Sequence, residues 1–158
     1  RKVSISSDET SISLNNKLAE LGSKLIVDAI DAILTETAEY EEQDKSDSSY
    51  APMLYKDSGR IFWQKSAADI HNLVRALVPW PSAFMEYKDT RVKIHRTEIE
   101  LTEHSYIPGT IVCINQKGIK VAASDGYVII KELQFPNKKS MPVSVYLLGN
   151  CIQEGYIL

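Results

Sequence analysis

From Ala83 to Leu133 the apolar residues recur with a period of two, in short runs separated by turn residues. Ala83–Tyr87 and Arg91–His95 read as strands joined through Lys88-Asp89-Thr90, a hairpin. Ile99 and Leu101 prolong the alternation before a polar stretch, and Pro108-Gly109 marks a turn. Then come Thr110–Ile114, a Gln116-Lys117-Gly118 turn, Ile119–Ala123, an Asp125-Gly126 turn and Tyr127–Leu133. A chain with this many short strands at such close spacing has few ways to bury its apolar face. The pattern predicts a mainly β domain, a small closed OB-like barrel.

One clear α-helix precedes these strands. Over Ser66–Val78, Ile70, Leu73, Val74 and Leu77 fall on one face, and Ser66 with Asp69 forms a capping-box-like pair. Pro79 and Pro81 bar its continuation. After the strands, Val143–Leu148 is expected to form a short helix, followed by an extended end.

The first third of the chain has a different character. Residues 1–10 read as a short extended piece. Leu14, Leu18, Leu21, Leu25, Ala29 and Ile33 then trace the apolar stripe of a helix capped by Ser13, with Gly22 as a possible bend. That stripe needs a partner, and residues 1–34 supply no sheet. Together with a start at Arg1-Lys2-Val3 rather than Met, this points to a fragment whose missing partner precedes Arg1. Residues 35–49 are polar and acidic, the composition of a solvated linker.

The net charge of −3 is divided unevenly. Residues 1–50 carry five basic against eleven acidic side chains, and residues 51–158 carry thirteen against ten. A polyanion partner would therefore meet the C-terminal half. No stretch approaches the roughly 20 apolar residues of a membrane span, so no membrane partner is expected. Cys113 and Cys151 have no ligand-spaced neighbours, which argues against a zinc site and fits two reduced thiols in a cytoplasmic protein. No P-loop, dinucleotide fingerprint or Ser–His–Asp order is present.

Specific words in the sequence go further than composition. Tyr50-Ala51-Pro52, Gly59-Arg60-Ile61-Phe62-Trp63 and Ser66-Ala67 are followed by an unbroken run from Ile70 through Val78-Pro79-Trp80-Pro81 to Phe84. Pro108-Gly109-Thr110-Ile111, Asp125-Gly126, Glu132-Leu133-Gln134 and Lys138-Lys139-Ser140-Met141 come after, in order. Together these resemble the C-terminal domain of methionyl-tRNA formyltransferases. Upstream, Thr10 and Leu14–Gly22 resemble the last helix of that family's doubly wound α/β catalytic domain. Two positions depart from the family's usual pattern, which has Asp where Phe62 stands and Gly where Asn137 stands.

The resemblance implies three segments: residues 1–34 as the end of the catalytic domain, 35–50 as linker, and 51–158 as a tRNA-binding barrel. It implies a reaction in which formyl passes from 10-formyltetrahydrofolate to methionine on initiator tRNA. The catalytic Asn, His and Asp it implies would lie in the N-terminal domain, and no segment here resembles that motif. His71, His95 and His104 sit in a helix, a strand and a polar loop respectively, and none is expected to be catalytic. The chain alone should bind no cofactor and turn over nothing; its partners would be initiator methionyl-tRNA and its own catalytic domain, with the protein a monomer.

For tRNA the candidates are Lys56, Arg60 and Lys65 near the linker exit, Arg75 in the helix, Arg91, Lys93 and Arg96 on one hairpin arm, and Lys138 and Lys139 in a late loop. Val92 and Ile94 would point inward, leaving Arg91 and Lys93 outside. Contacts would run mainly to the phosphate backbone and weaken with salt. Trp63 and Trp80 read as core anchors rather than as base-stacking platforms. The alternatives are the C-terminal domain of a related folate-dependent formyltransferase or hydrolase, and a free-standing RNA-binding barrel.

Overall fold

A computed structural model describes all residues, 1–158. The chain divides into two compact units, Arg1–Leu54 and Tyr55–Leu158.

The first unit is dominated by helix α1, Ser11–Leu34. Its cap is Thr10, three residues earlier than the apolar stripe alone indicates. Thr10 Oγ1 accepts from the Ser13 amide, and Ser13 Oγ accepts from the Thr10 amide, so two orphan N–H groups are satisfied reciprocally. Gly22 does not break the helix, which runs through it without interruption. Residues 1–10 form no strand. In the acidic stretch that follows, Asp44 caps a single 3₁₀ turn over Lys45–Asp47.

The second unit holds a six-stranded antiparallel sheet and two short helices. Helix α2 spans Ala67–Ala76, and Ser66 Oγ caps it by accepting from the Asp69 amide. A second cap arrives from far along the chain: the Asp125 carboxylate accepts from the Ala67 amide at 2.7 Å. A carboxylate at a helix N-terminus satisfies an orphan donor and complements the helix dipole. The strands are β1 (Ala83–Tyr87), β2 (Thr90–Glu100), β3 (Ile111–Asn115), β4 (Gly118–Ala122), β5 (Tyr127–Gln134) and β6 (Met141–Pro142), with a one-turn helix α3 at Val143–Tyr146.

The strand order is β1-β2-β5-β4-β3, with β6 added beside β5. Ladder pairing thus runs from β1 to β3 without returning, so the sheet is open in its hydrogen bonding. At the two margins it is extended by isolated bridges, Arg60 to Phe84 and Thr110 to Ile157. All five longer strands nevertheless feed one core. Ile70 and Val74 of α2, Val92, Ile94, Ile111, Ile119, Val121, Val128, Ile130 and Leu133 are all buried within it.

β2 is longer than its sequence pattern indicates because a bulge lies in its middle. Its register on β5 slips between Ile94 and Arg96 and again before Thr97. A bulge adds a residue and resets which side chains point inward. Val92 and Ile94 are buried before it, and Thr97 is buried after it. There Thr97 Oγ1 meets His71 Nδ1 at 2.9 Å, tying α2 to the inward side of the strand.

Trp63 is buried, as the core-anchor reading requires, but Trp80 is 57% exposed and anchors nothing. Both of its neighbouring X-Pro bonds, Val78–Pro79 and Trp80–Pro81, are cis. The turn is held instead by Ser82, whose amide donates to Leu77 O and whose hydroxyl donates to Pro79 O. The Ser82 carbonyl in turn occupies the space where a side chain at Gly59 would begin. Cys113 and Cys151 are free thiols, and no helix is long and apolar enough to cross a membrane.

Candidate nucleic-acid interface

The outer face of β1, β2 and β5 gathers most of the basic residues singled out from the sequence. The register places Phe84 opposite Lys93 and Glu86 opposite Arg91 on β1–β2, and Lys93 opposite Gln134 on β2–β5. Alternation turns Arg91 and Lys93 outward between the buried Val92 and Ile94. Continued past Ile94, the same alternation would drive Arg96 into the core. The bulge prevents this, and Arg96 is exposed.

Arg91 is held by two contacts. Its guanidinium lies 4.0 Å from the centroid of the Phe84 ring and donates to Asp57 at 2.9 Å. Arg60 reaches Glu86 at 3.1 Å, and Arg96 approaches Glu98 at 3.9 Å. These are exposed ion pairs, worth about 0–1 kcal/mol each, so a phosphate can compete for the arginines at small cost. Lys56, Lys65, Lys93, Lys138 and Lys139 are exposed and have no carboxylate within ion-pair distance.

Gln134 joins the late loop to this face. Its Oε1 meets His95 Nε2 at 3.0 Å and its Nε2 donates to the Lys138 carbonyl at 2.8 Å. Because Gln134 also sits across from Lys93, one side chain brings Lys93, His95 and the Lys138–Lys139 loop to a single corner. The loop is fixed from below by Phe135, whose ring stacks on Tyr146 at 4.7 Å. Asn137 has φ of 60°, a left-handed conformation that glycine adopts freely and that asparagine tolerates better than most side chains. That is why Asn can stand at this position.

Arg75 stands apart. It belongs to the last turn of α2, is half-buried, and donates from Nε to Asn72 Oδ1 at 2.9 Å. Lys56 lies on a 3₁₀ turn over Lys56–Gly59, next to the Asp57 that pairs with Arg91. Lys65 and Arg60 line a groove of about 350 Å³ with Ser58, Phe62, Asp69, Ile70 and Leu73. Sequence reasoning missed His95 and Gln134 as organisers of the corner. Gln134 follows Leu133 in a period-two strand, which marks it as outward, but no local pattern shows what it bonds.

Residues 53–150 match the formyl transferase C-terminal domain family. The chain belongs to that family. Similar curated proteins include the methionyl-tRNA formyltransferase of Clostridium perfringens strain SM101, 41% identical over 157 residues, covering 99% of this chain and 51% of that protein. The methionyl-tRNA formyltransferase of Clostridium tetani is 41% identical over 154 residues, covering 98% and 50%. The chain thus spans about half the length of the curated relatives it matches. Among solved structures, a HypX variant from Aquifex aeolicus superposes with a TM-score of 0.67 at 17% identity, covering 94% of this chain and 27% of that one. An N-formyltransferase from Helicobacter canadensis, solved with folinic acid and dTDP-3-aminofucose, gives 0.60 at 22%, covering 80% and 45%. At these identities the likeness is one of fold. Several of the sequence words that carry the resemblance have physical reasons in this fold: Gly59 clears the Ser82 carbonyl, Asp125 caps α2, and Gln134 ties the lysine loop to β2.

Proposed function

We propose that this chain is the C-terminal part of a methionyl-tRNA formyltransferase and that its second unit holds the tRNA substrate. The intact enzyme would move formyl from 10-formyltetrahydrofolate to the amino group of methionine on initiator tRNA. The observation that carries the reading is the 41% identity to enzymes of that name across nearly the whole chain. A neighbour of the same fold, HypX, has been solved with tetrahydrofolic acid, in keeping with a folate donor for the family at large.

In this reading residues 1–34 close the catalytic domain, 35–50 form the linker and 51–158 form the tRNA-binding domain, a cytoplasmic monomer's RNA-holding half. That domain is read as OB-like and barrel-shaped because its five longer strands share one core, although their ladders stay open. The chemistry would reside in an Asn, a His and an Asp outside this chain. His71, His95 and His104 are half-buried and hydrogen-bonded to Thr97, Gln134 and the Gly126 carbonyl, contacts that hold the fold together.

The binding surface is the β1–β2–β5 outer face, with Arg60, Arg91, Lys93, Arg96, Lys138 and Lys139 meeting phosphates and Lys56 and Lys65 extending the track. Binding to a polyanion by displaced counterions falls steeply with salt. Replacing Lys138 and Lys139 together by Glu should weaken initiator-tRNA binding and lower the slope of log K against log salt by about one for each phosphate no longer neutralised. Filter binding over a range of KCl concentrations measures both quantities. An unchanged affinity and slope would remove the corner from the interface. Mixed with formyl donor and charged initiator tRNA, the chain alone should yield no formyl-methionine.

A further inference from the structure

The groove bounded by Arg60 and Lys65 has features that a phosphate track does not need. Phe62 stands in it 58% exposed, although the neighbouring Ile61 and Trp63 are buried. A second groove, lined by Arg60, Trp63 and Glu86 among others, also includes Phe62, so Phe62 and Arg60 border both depressions. The floor of the first groove is apolar, from the buried Ile70 and the half-buried Leu73 of α2. Its rim carries two cations and one carboxylate, Asp69, which pairs with no cation. The Lys65 amide donates to the Phe62 carbonyl at 3.0 Å, so a tight turn holds the aromatic ring's residue and the ammonium's residue three positions apart.

An exposed aromatic side chain beside cations is the arrangement by which proteins take single-stranded nucleic acid: the ring stacks a base and the cations hold the flanking phosphates. The carboxylate adds a directional acceptor. A base that offers two adjacent N–H donors on one edge satisfies it best, and guanine does so through N1 and N2. We infer that Phe62, Lys65, Arg60 and Asp69 form a pocket for one unstacked nucleotide of single-stranded RNA, with guanine preferred. This deepens the proposed tRNA role and rests on it: the β-sheet face meets paired, phosphate-lined RNA, and the Phe62 groove meets an unpaired base.

Four fluorescently labelled RNAs test this by anisotropy with the full 158-residue chain. They are a seven-unit strand with one guanine at its centre and abasic units elsewhere, the same strand with uracil at its centre, the fully abasic strand, and a blunt mixed-sequence duplex. Stacking is worth about 1–3 kcal/mol per base, which corresponds to roughly 5- to 150-fold in affinity. The G-centred strand should therefore bind about tenfold more tightly than the abasic one. Phe62→Ala and Phe62→Asp should abolish that difference, and Phe62→Tyr should keep it. Asp69→Asn should narrow the preference for a G centre over a U centre. Duplex affinity should be unaffected by Phe62→Ala and Phe62→Tyr, which change no charge, and reduced by the Lys138→Glu, Lys139→Glu pair. Because Phe62 is mostly exposed, its variants should melt with the wild type, which a thermal scan checks. Equal binding of the G-centred and abasic strands, or a Phe62→Ala variant that retains the difference, overturns the pocket while leaving duplex binding intact. Loss of all RNA binding by the wild-type chain would overturn the tRNA reading and the pocket together.

Discussion

Two helices of this chain make a useful pair. α1 has 24 residues and a continuous apolar stripe, yet none of its residues is buried. α2 has 10 residues and buries Ala67, Ile70 and Val74. Ile26, Val27, Ile30 and Ile33 in α1 are each about half exposed or more, whereas Ile70 in α2 is 2% exposed. α1 is held by local devices: the Thr10–Ser13 box and the Glu20–Lys24 pair, whose hydrogen bond and charge lower the pKa of the carboxyl and raise that of the ammonium. α2 is held by its two caps and by a core assembled from five strands. Periodicity specifies which face a helix would bury, and only the rest of the fold determines whether it is buried.

The sharpest way to break this contrast is a matched pair of truncations. Ile94→Ala removes a fully buried side chain from β2 and should destabilise the second unit by about 2–5 kcal/mol, the forfeited transfer free energy plus the cavity left behind. Ile30→Ala removes a half-exposed one from α1 and should cost no more than about 0.5 kcal/mol. Urea titration reads the first by the fluorescence of the buried Trp63 and the second by the far-ultraviolet circular dichroism of α1. Comparable shifts from both variants would mean that α1 is packed as tightly as the sheet.

Glycines should give effects of opposite sign in the two regions. Gly118 has φ of 142°, and a Cβ there would run into the Ile130 carbonyl of the neighbouring strand. Gly118→Ala should therefore destabilise the sheet by roughly 1–3 kcal/mol. Gly22 has open space around it in the middle of α1, and Gly22→Ala should strengthen that helix by about 1 kcal/mol. Circular dichroism at rising temperature reads the second effect and the urea midpoint the first. A destabilised Gly22→Ala would show that a close neighbour meets α1 there.

Caps come next in size. Asp125→Ala removes the long-range acceptor for the Ala67 amide and should cost about 1 kcal/mol in the unfolding of the second unit. Thr10→Ala should lower the helical signal of α1 and leave the unfolding midpoint of the sheet in place. If Thr10→Ala moved that midpoint instead, the two units would fold as one.

The five longer strands, the helix over 67–76 and the acidic connector are legible from periodicity and turn residues, because each is set by neighbours close in sequence, whereas β6 exists only through its pairing with β5. The inward–outward assignment of Arg91 and Lys93 is legible for the same reason. Arg96 is recognisable only as a surface cation; strict alternation would bury it, and the bulge that turns it outward depends on pairing with β5. Trp80 misleads because an aromatic residue between prolines resembles an anchor, whereas the turn is anchored by Ser82 hydrogen bonds. Gln134 and Asp125 act across 39 and 58 residues of sequence, respectively, and no local pattern predicts such bonds. Phe62 is visible only as a departure from a family pattern. Its exposure, and the groove it shares with Lys65 and Asp69, follow from how the 56–66 segment lies against α2.

The smallest effect concerns a tyrosine of the second unit. Burial, followed by the nearby Tyr87 and Cys151, pushes the Tyr146 phenol above its ordinary value. The folded state therefore favours the neutral phenol more than the unfolded chain does. The stabilisation that this supplies is complete below the unfolded pKa of about 10 and is lost as pH rises through the higher folded value. Urea midpoints measured from about pH 8 to 11 should fall at the alkaline end, and Tyr146→Phe should flatten that fall while keeping the ring stacked on Phe135. If Tyr146→Phe kept the wild-type alkaline profile, the Tyr146 hydroxyl would not be desolvated in the fold, and the packing of α3 against the sheet would be looser than the stacking with Phe135 indicates.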